Sequence, residues 1–115
     1  MKYSVVIKND KSYILCNEIE SKICKEQDML DIISLCFENS VYSVIIDGNI
    51  LSEEFYDLKT KILGMSLQKF INYNVKVAFI IEKERVLSDR FKELVLEINK
   101  GSNFRVCHSI EDAEM

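Results

Sequence analysis

Val41-Tyr42-Ser43-Val44-Ile45-Ile46-Asp47 is the stretch on which the reading of this chain turns. Apolar and aromatic residues follow one another there with little alternation. A strand buried on both faces has that pattern, and such strands belong to parallel sheets covered by helices. Gly48-Asn49 breaks the run. A second run of the same kind, Val75-Lys76-Val77-Ala78-Phe79-Ile80-Ile81, lies further along. Strands of this type alternating with helices imply a mostly parallel sheet with right-handed crossovers.

Between the two runs the pattern is helical. Ser52 reads as an N-cap, with Glu53-Glu54 in the first turn. From there to Tyr73 the region covers about 21 residues, roughly 30 Å of helix, which is long for a small domain. The expectation is a short first turn over 53–57, then a main helix through Phe70. Gly64 costs about 1 kcal/mol against Ala inside a helix, so it is expected to mark a close contact with the sheet or a bend.

Outward from this unit, residues 3–8 are rich in β-branched side chains and read as a strand. Asn9-Asp10-Lys11 supplies turn chemistry, and residues 12–16 complete an antiparallel hairpin. Residues 17–23 read as a loop or a ragged extension of that strand. Residues 26–38 form the clearest helix, with Met29, Ile32, Ile33, Cys36 and Phe37 on one stripe, ended by Asn39-Ser40. Residues 82–87 read as a charged loop. Ser88 caps a helix over 89–99 whose stripe is Phe91, Leu94, Val95 and Ile98. Gly101 is the expected left-handed residue after it. Residues 103–107 make a last strand, and Ser109 opens a short final helix. The order ββαβαβαβα defines an α/β protein. It is read as a single domain over residues 1–115, with a mixed, mostly parallel sheet of about five strands and an N-terminal antiparallel hairpin.

Composition excludes several classes. The 115 residues are 48% apolar and 30% charged, with three glycines and no proline, which is neither disordered nor collagenous. No uninterrupted apolar run approaches the ~20 residues of a membrane span. The N-terminal apolar run is too short for a signal peptide, so a cytoplasmic protein with no membrane partner is expected. A net charge of −4 argues against a nucleic-acid partner, because counterion release needs a basic face. Cys16, Cys24, Cys36 and Cys107 show no Cys-x-x-Cys spacing and read as buried free thiols. With His108 the single histidine, neither a metal site nor a Cys107–His108 nucleophile pair is expected, since strand neighbours point to opposite faces. No motif for a cofactor is present.

Two motifs carry a resemblance. Phe55-Tyr56-Asp57-Leu58-Lys59-Thr60 is followed by Gln68-Lys69-Phe70-Ile71-Asn72-Tyr73 and Lys76-Val77-Ala78. Ser88-x-x-Phe91 leads to Glu97-x-Asn99-Lys100-Gly101. Together they resemble the bacterial domain-of-unknown-function family numbered four-one-eight-zero. That family's pattern reads Phe-Phe-Asp-Leu-Lys-Thr-Gly, then Gln-Lys-Phe-Val-Asn-Tyr, then a Ser-initiated helix. Gln27-Asp28 and Ser109-x-Glu111-x-Ala113 also fit. Two family glycines are replaced, one by Lys61 and one within Ile81-Glu82. The resemblance implies relatives and no activity. By topology alone the chain is similar to the sulfate-transporter and anti-sigma-antagonist (STAS-like) domain. That likeness implies a phosphorylated serine near Ser52, although the Asp-Ser-Ser-Gly-Leu-like motif is absent.

The candidate binding residues are Asp47, Asn49 and Ser52, in the loop after the central strand, and Gln68 and Asn72 on the following helix. Ligands gather at the carboxyl ends of parallel strands, and polar side chains there could hold an anion or phosphoryl group. The bland alternative carries more weight: Asp47-Gly48-Asn49 as a turn, Ser52 as a cap, and Gln68 and Asn72 on a solvated face. No catalytic residue is assigned. The leading expectation is a non-enzymatic regulatory or protein-interaction module with a protein partner, and a homodimer is compatible with it. The alternatives are a small-molecule or nucleotide-binding protein using the 47–52 loop, and a phosphoswitch at Ser52.

Overall fold

A computed structural model describes residues 2–8, 10–18, 26–82, 85 and 87–114. Its elements follow the expected order. Strands β1 (Lys2–Lys8) and β2 (Lys11–Glu18) precede helix α1 (Glu26–Asn39) and strand β3 (Ser43–Asp47). Helices α2 (Glu53–Tyr56) and α3 (Ile62–Asn72) lead to strand β4 (Lys76–Ile80). Helix α4 (Asp89–Ile98), strand β5 (Phe104–Cys107) and helix α5 (Ile110–Glu114) complete the chain. The expected turn and loops fall partly outside the described residues, at Asn9, 19–25, 83, 84 and 86, and Cys24 lies outside them too.

The five strands form one sheet in chain order, β1-β2-β3-β4-β5. β1 pairs antiparallel with β2, and the remaining pairs are parallel. Neighbouring strands that are also consecutive need crossovers of one hand, which carry their helices to one face. Ile14, Val44, Ile46, Val77 and Phe79 point to that face. They meet Met29, Ile32, Ile33 and Cys36 of α1, Phe55 of α2, Phe70 of α3 and Phe91 of α4. Phe55, Phe70, Phe79 and Phe91 are almost wholly buried, and burying a side chain of this size contributes roughly 1.5–3 kcal/mol each.

The second face is covered differently. Tyr13, Ile45 and Ala78 form a small cluster there, packed with Ile110 and Ala113 of α5. Glu114 ties this helix down by accepting from Tyr13 Oη at 2.6 Å and from Lys8 Nζ at 2.9 Å. Val44, Ile45 and Ile46 are therefore all buried, as the unalternating run requires.

Four expectations need correction. Phe37 lies on the α1 stripe but is 48% exposed. Its ring packs edge-on against Tyr42 and Tyr73 at the end of the helix layer. Gly101 does not adopt a left-handed conformation; the positive φ values belong to Asp10, Ser40, Lys61 and Asn74. Gly64 makes no close approach, since a Cβ there would meet nothing within 4 Å. Ser52 has the backbone of an N-cap, yet its side chain makes no cap bond. By contrast, Ser88 Oγ accepts from Phe91 N at 3.1 Å and caps α4 as expected. The free thiols Cys16, Cys36 and Cys107 are buried, and burial pushes Cys16 up to about 12 and Cys36 up to about 11.

Two helix-region substitutions should stabilise the fold. Gly64→Ala fills open space in α3 and should add about 0.5–1 kcal/mol. Lys61 holds φ 63°, where a Cβ costs roughly 1–2 kcal/mol, so Lys61→Gly should add about 0.5–1 kcal/mol after the glycine's own chain entropy. Urea unfolding of each variant measures both gains.

Acid should loosen α5. The Tyr13 hydroxyl first, and then Lys8, hold the Glu114 carboxyl below its ordinary 4.5. A depressed carboxyl stabilises above its unfolded pKa, and that stabilisation is lost as pH falls through the folded value. Lys8 is raised from 10.5, chiefly by the same carboxylate, so its share is lost only as pH climbs past the folded value. The Ala113 methyl NMR signal should therefore hold steady near neutrality and shift only as pH falls below the ordinary carboxyl value of 4.5. Glu114→Gln should abolish that acid limb.

Candidate functional site

At the carboxyl end of β3 the chain turns through a short 3-10 helix, Gly48–Ile50. Asp47 supports the turn by accepting from Asn49 N at 2.9 Å. Asn49 Nδ2 in turn donates to Glu82 Oε1 at 3.4 Å. Gly48 is buried against the end of β4. A Cβ there would lie 2.5 Å from the Ile80 carbonyl oxygen and 2.7 Å from Tyr56 Oη. The turn needs glycine because backbone and tyrosine approach so closely.

Tyr56 locks α2 onto this turn. Its hydroxyl donates to the Gly48 carbonyl at 2.8 Å, and its ring packs on Phe55 and Phe91. The Arg85 guanidinium covers the ring at 3.7 Å from its centroid. Arg85 Nη2 also donates to Glu53 at 2.7 Å, while its buried Nε has no hydrogen-bond partner among the described residues. Burial pushes the Tyr56 phenol up to about 12, with Arg85 opposing.

Ser52 is 8% exposed, and its buried hydroxyl makes no hydrogen bond of ordinary geometry. The Ser52 hydroxyl first, and then Glu54's own backbone N–H, draw the exposed Glu54 carboxyl below its ordinary 4.5. Gln68 Nε2 donates to Asn72 Oδ1 at 3.0 Å on the exposed side of α3. The five candidate residues thus divide. Asp47 joins Asn49, Gln68 joins Asn72, and no hydrogen bond among the described residues links the two pairs or brings Ser52 to either.

A cleft does open beyond the strand ends, about 430 Å³ in volume. Glu53, Glu54, Tyr56, Asp57, Arg85, Leu87 and Ser88 line it, so none of the five candidates does. Tyr56 and Arg85 were not singled out by sequence reasoning. An aromatic ring and an arginine far apart in the chain leave no periodic signal, although Tyr56 sits within the Phe55–Thr60 motif.

That motif has a structural explanation. Phe55 is buried in the core, and Asp57 accepts from Lys59 N at 3.0 Å to start a 3-10 turn over Leu58–Thr60. Thr60 Oγ1 lies 2.6 Å from the Glu54 carbonyl and 2.8 Å from that of Asp57. Lys61 follows in the left-handed region, the position where the family pattern carries glycine.

The family model for a domain of unknown function, DUF4180, matches residues 8–115. The chain belongs to that family. No curated protein matches it. Two further facts concern the described residues alone. No helix is long and apolar enough to cross a membrane, and no group of three or more His, Cys, Asp or Glu side chains could hold a metal ion.

Gly48→Ala should destabilise the protein by about 1–3 kcal/mol, because the new methyl meets a backbone carbonyl that cannot swing aside. Thermal unfolding beside Gly64→Ala checks this, since the same chemical change should act with opposite sign at the two positions.

Proposed function

We propose that this domain is a non-enzymatic regulatory module of the cytoplasm, acting by adding a strand of a partner protein to the free edge of β1. The observation that carries the reading is the character of that edge. β1 ends the sheet and is seven residues long, against four in β5 at the other edge. An edge strand presents unpaired backbone donors and acceptors that can template another chain. Tyr3, Val5 and Ile7 alternate along it at 38%, 44% and 75% exposure, on the side that packs with the helices, as the Val5–Ile14 pairing places them. Backbone pairing supplies affinity in such complexes, and alternate side chains supply specificity. The occupant is an extended segment with apolar residues at every second position.

Three features support the wider setting. Buried reduced thiols suit a reducing compartment. Chain-order strands with the main helices on one face support the likeness to the STAS-like regulatory domain. The burial of Ser52 argues against a phosphoswitch at that residue, because a kinase needs its hydroxyl exposed. The small-molecule alternative draws support from the cleft beside Arg85, but its only cation among the described residues is already paired with Glu53.

Site-specific photo-crosslinking in cells tests the edge. A crosslinking residue at Ile7 should capture a discrete partner, and Val5→Lys should abolish the adduct without lowering the unfolding temperature. The same residue at Leu96, which is 67% exposed on α4, should capture nothing discrete. Equal capture at both positions, or survival of the adduct in Val5→Lys, would sink the reading. An adduct with a second copy of this chain would replace the heterologous partner by a homodimer.

A further inference from the structure

The second face of the sheet holds a hollow that neither the family nor the reading above assigns. It lies beside α5, at the end where the parallel strands begin, and its volume is about 340 Å³. That is within the usual range of small-ligand pockets, roughly 300–1,000 Å³.

Four cations line it: Lys8, Lys11, Lys76 and Arg105. They come from different strands, and the register brings them to one side. Lys8 pairs with Lys11 across the hairpin. Lys76 pairs with Ser43, and Arg105 pairs with Ala78 of the second-face cluster. Among the described residues Glu114 is the one carboxylate in the lining, and it is already held by Tyr13 and Lys8. Among the described residues, no ion pair or hydrogen bond engages the side chains of Lys11, Lys76 or Arg105. The whole chain carries a net charge of −4, so this concentration of positive charge does not follow from composition. Edge protection accounts for lysines in a terminal hairpin, but not for Lys76, because β4 is an interior strand.

The floor has the opposite character. Ile45, Ala78 and Ala113 give it an apolar base. An apolar base with an unneutralised cationic rim fits a ligand of matching polarity. We propose that this hollow binds a small organic anion. Its compact apolar or aromatic body lies on Ile45 and Ala78, and its carboxylate or phosphate faces Arg105 and Lys76. The planar guanidinium can meet either anion with two parallel bonds, and the ammonium adds a point charge. The residues that would hold the anion lie on β4 and β5, not on the β1 edge, so failure here would leave the strand-addition reading intact.

Isothermal titration calorimetry on the full chain, with phenyl phosphate, benzoate and neutral benzyl alcohol as probes, tests this. Saturable binding of phenyl phosphate, benzoate or both is expected, with no binding of benzyl alcohol. Comparing the two anions tells a phosphate site from a carboxylate site, and inorganic phosphate should bind more weakly than phenyl phosphate because it lacks the ring. The double variant Lys76→Gln/Arg105→Gln should weaken the better anion roughly tenfold or more, about 1.4 kcal/mol. Lys92→Gln, on α4 across the sheet, should leave affinity unchanged. Thermal unfolding of each variant confirms that the fold is retained, and Arg105→Gln alone serves if the double variant unfolds. The proposal fails if neither anion saturates, if benzyl alcohol binds as well as the anions, or if the Arg105 variants bind like the unaltered protein. NMR shifts on anion addition should centre on Ala78 and Ala113; shifts centred elsewhere would equally overturn it.

Discussion

The pairing of β3 with β4, from Ser43 against Lys76 to Asp47 against Ile80, constrains most of what surrounds it. Both strands are interior, and each has neighbours running the same way. A parallel neighbour cannot be reached by a tight turn, so every such step requires a helix to return the chain. With strands laid down in chain order, each return falls on the same side. The large core is therefore built on one face, and the other face is left to whatever follows the last strand. Five residues of α5 meet that need over Tyr13, Ile45 and Ala78, and they do not cover all of it.

The same pairing explains the crowding at Gly48. β3 and β4 end in register, Asp47 beside Ile80, so the turn leaving β3 passes directly against the last carbonyl of β4. Tyr56 then bonds back to Gly48, and Arg85 closes over the ring. The residues that sequence patterns mark most strongly in this region, Phe55 to Thr60, hold two short helices and a turn together. Their prominence is explained by folding.

How much could be read beforehand varied with the range of the interaction. The runs at 41–47 and 75–81 announce buried strands because each residue's burial is set by its own strand and its immediate neighbours. Ser88 caps α4 for an equally local reason. Phe37 has the right spacing for the core but stays half exposed, its ring against Tyr42 and Tyr73 instead. Ser52 has the right residue type for a cap, but its side chain is enclosed without reaching an amide. Gly64 has the residue type for a close contact, but a Cβ there meets nothing within 4 Å, and the left-handed backbone expected at Gly101 is adopted by Lys61 and Asn74 among others. Of the candidate site, only the adjacent pairs survived as contacts. Tyr56 on α2 meets Arg85 of the loop after β4, the cations around Arg105 meet through sheet register, and no local spacing encodes either.

Glu114 reaches back 106 residues to Lys8 and 101 to Tyr13. Contacts of such sequence separation close loops spanning most of the chain, and the entropy of that closure is recovered only once the rest of the sheet is in place. During synthesis the first hairpin emerges well before its partner in α5 exists. The helix-covered core can thus assemble while the second face still lies open to solvent, and sealing that face is a separate, later event in the history of each molecule.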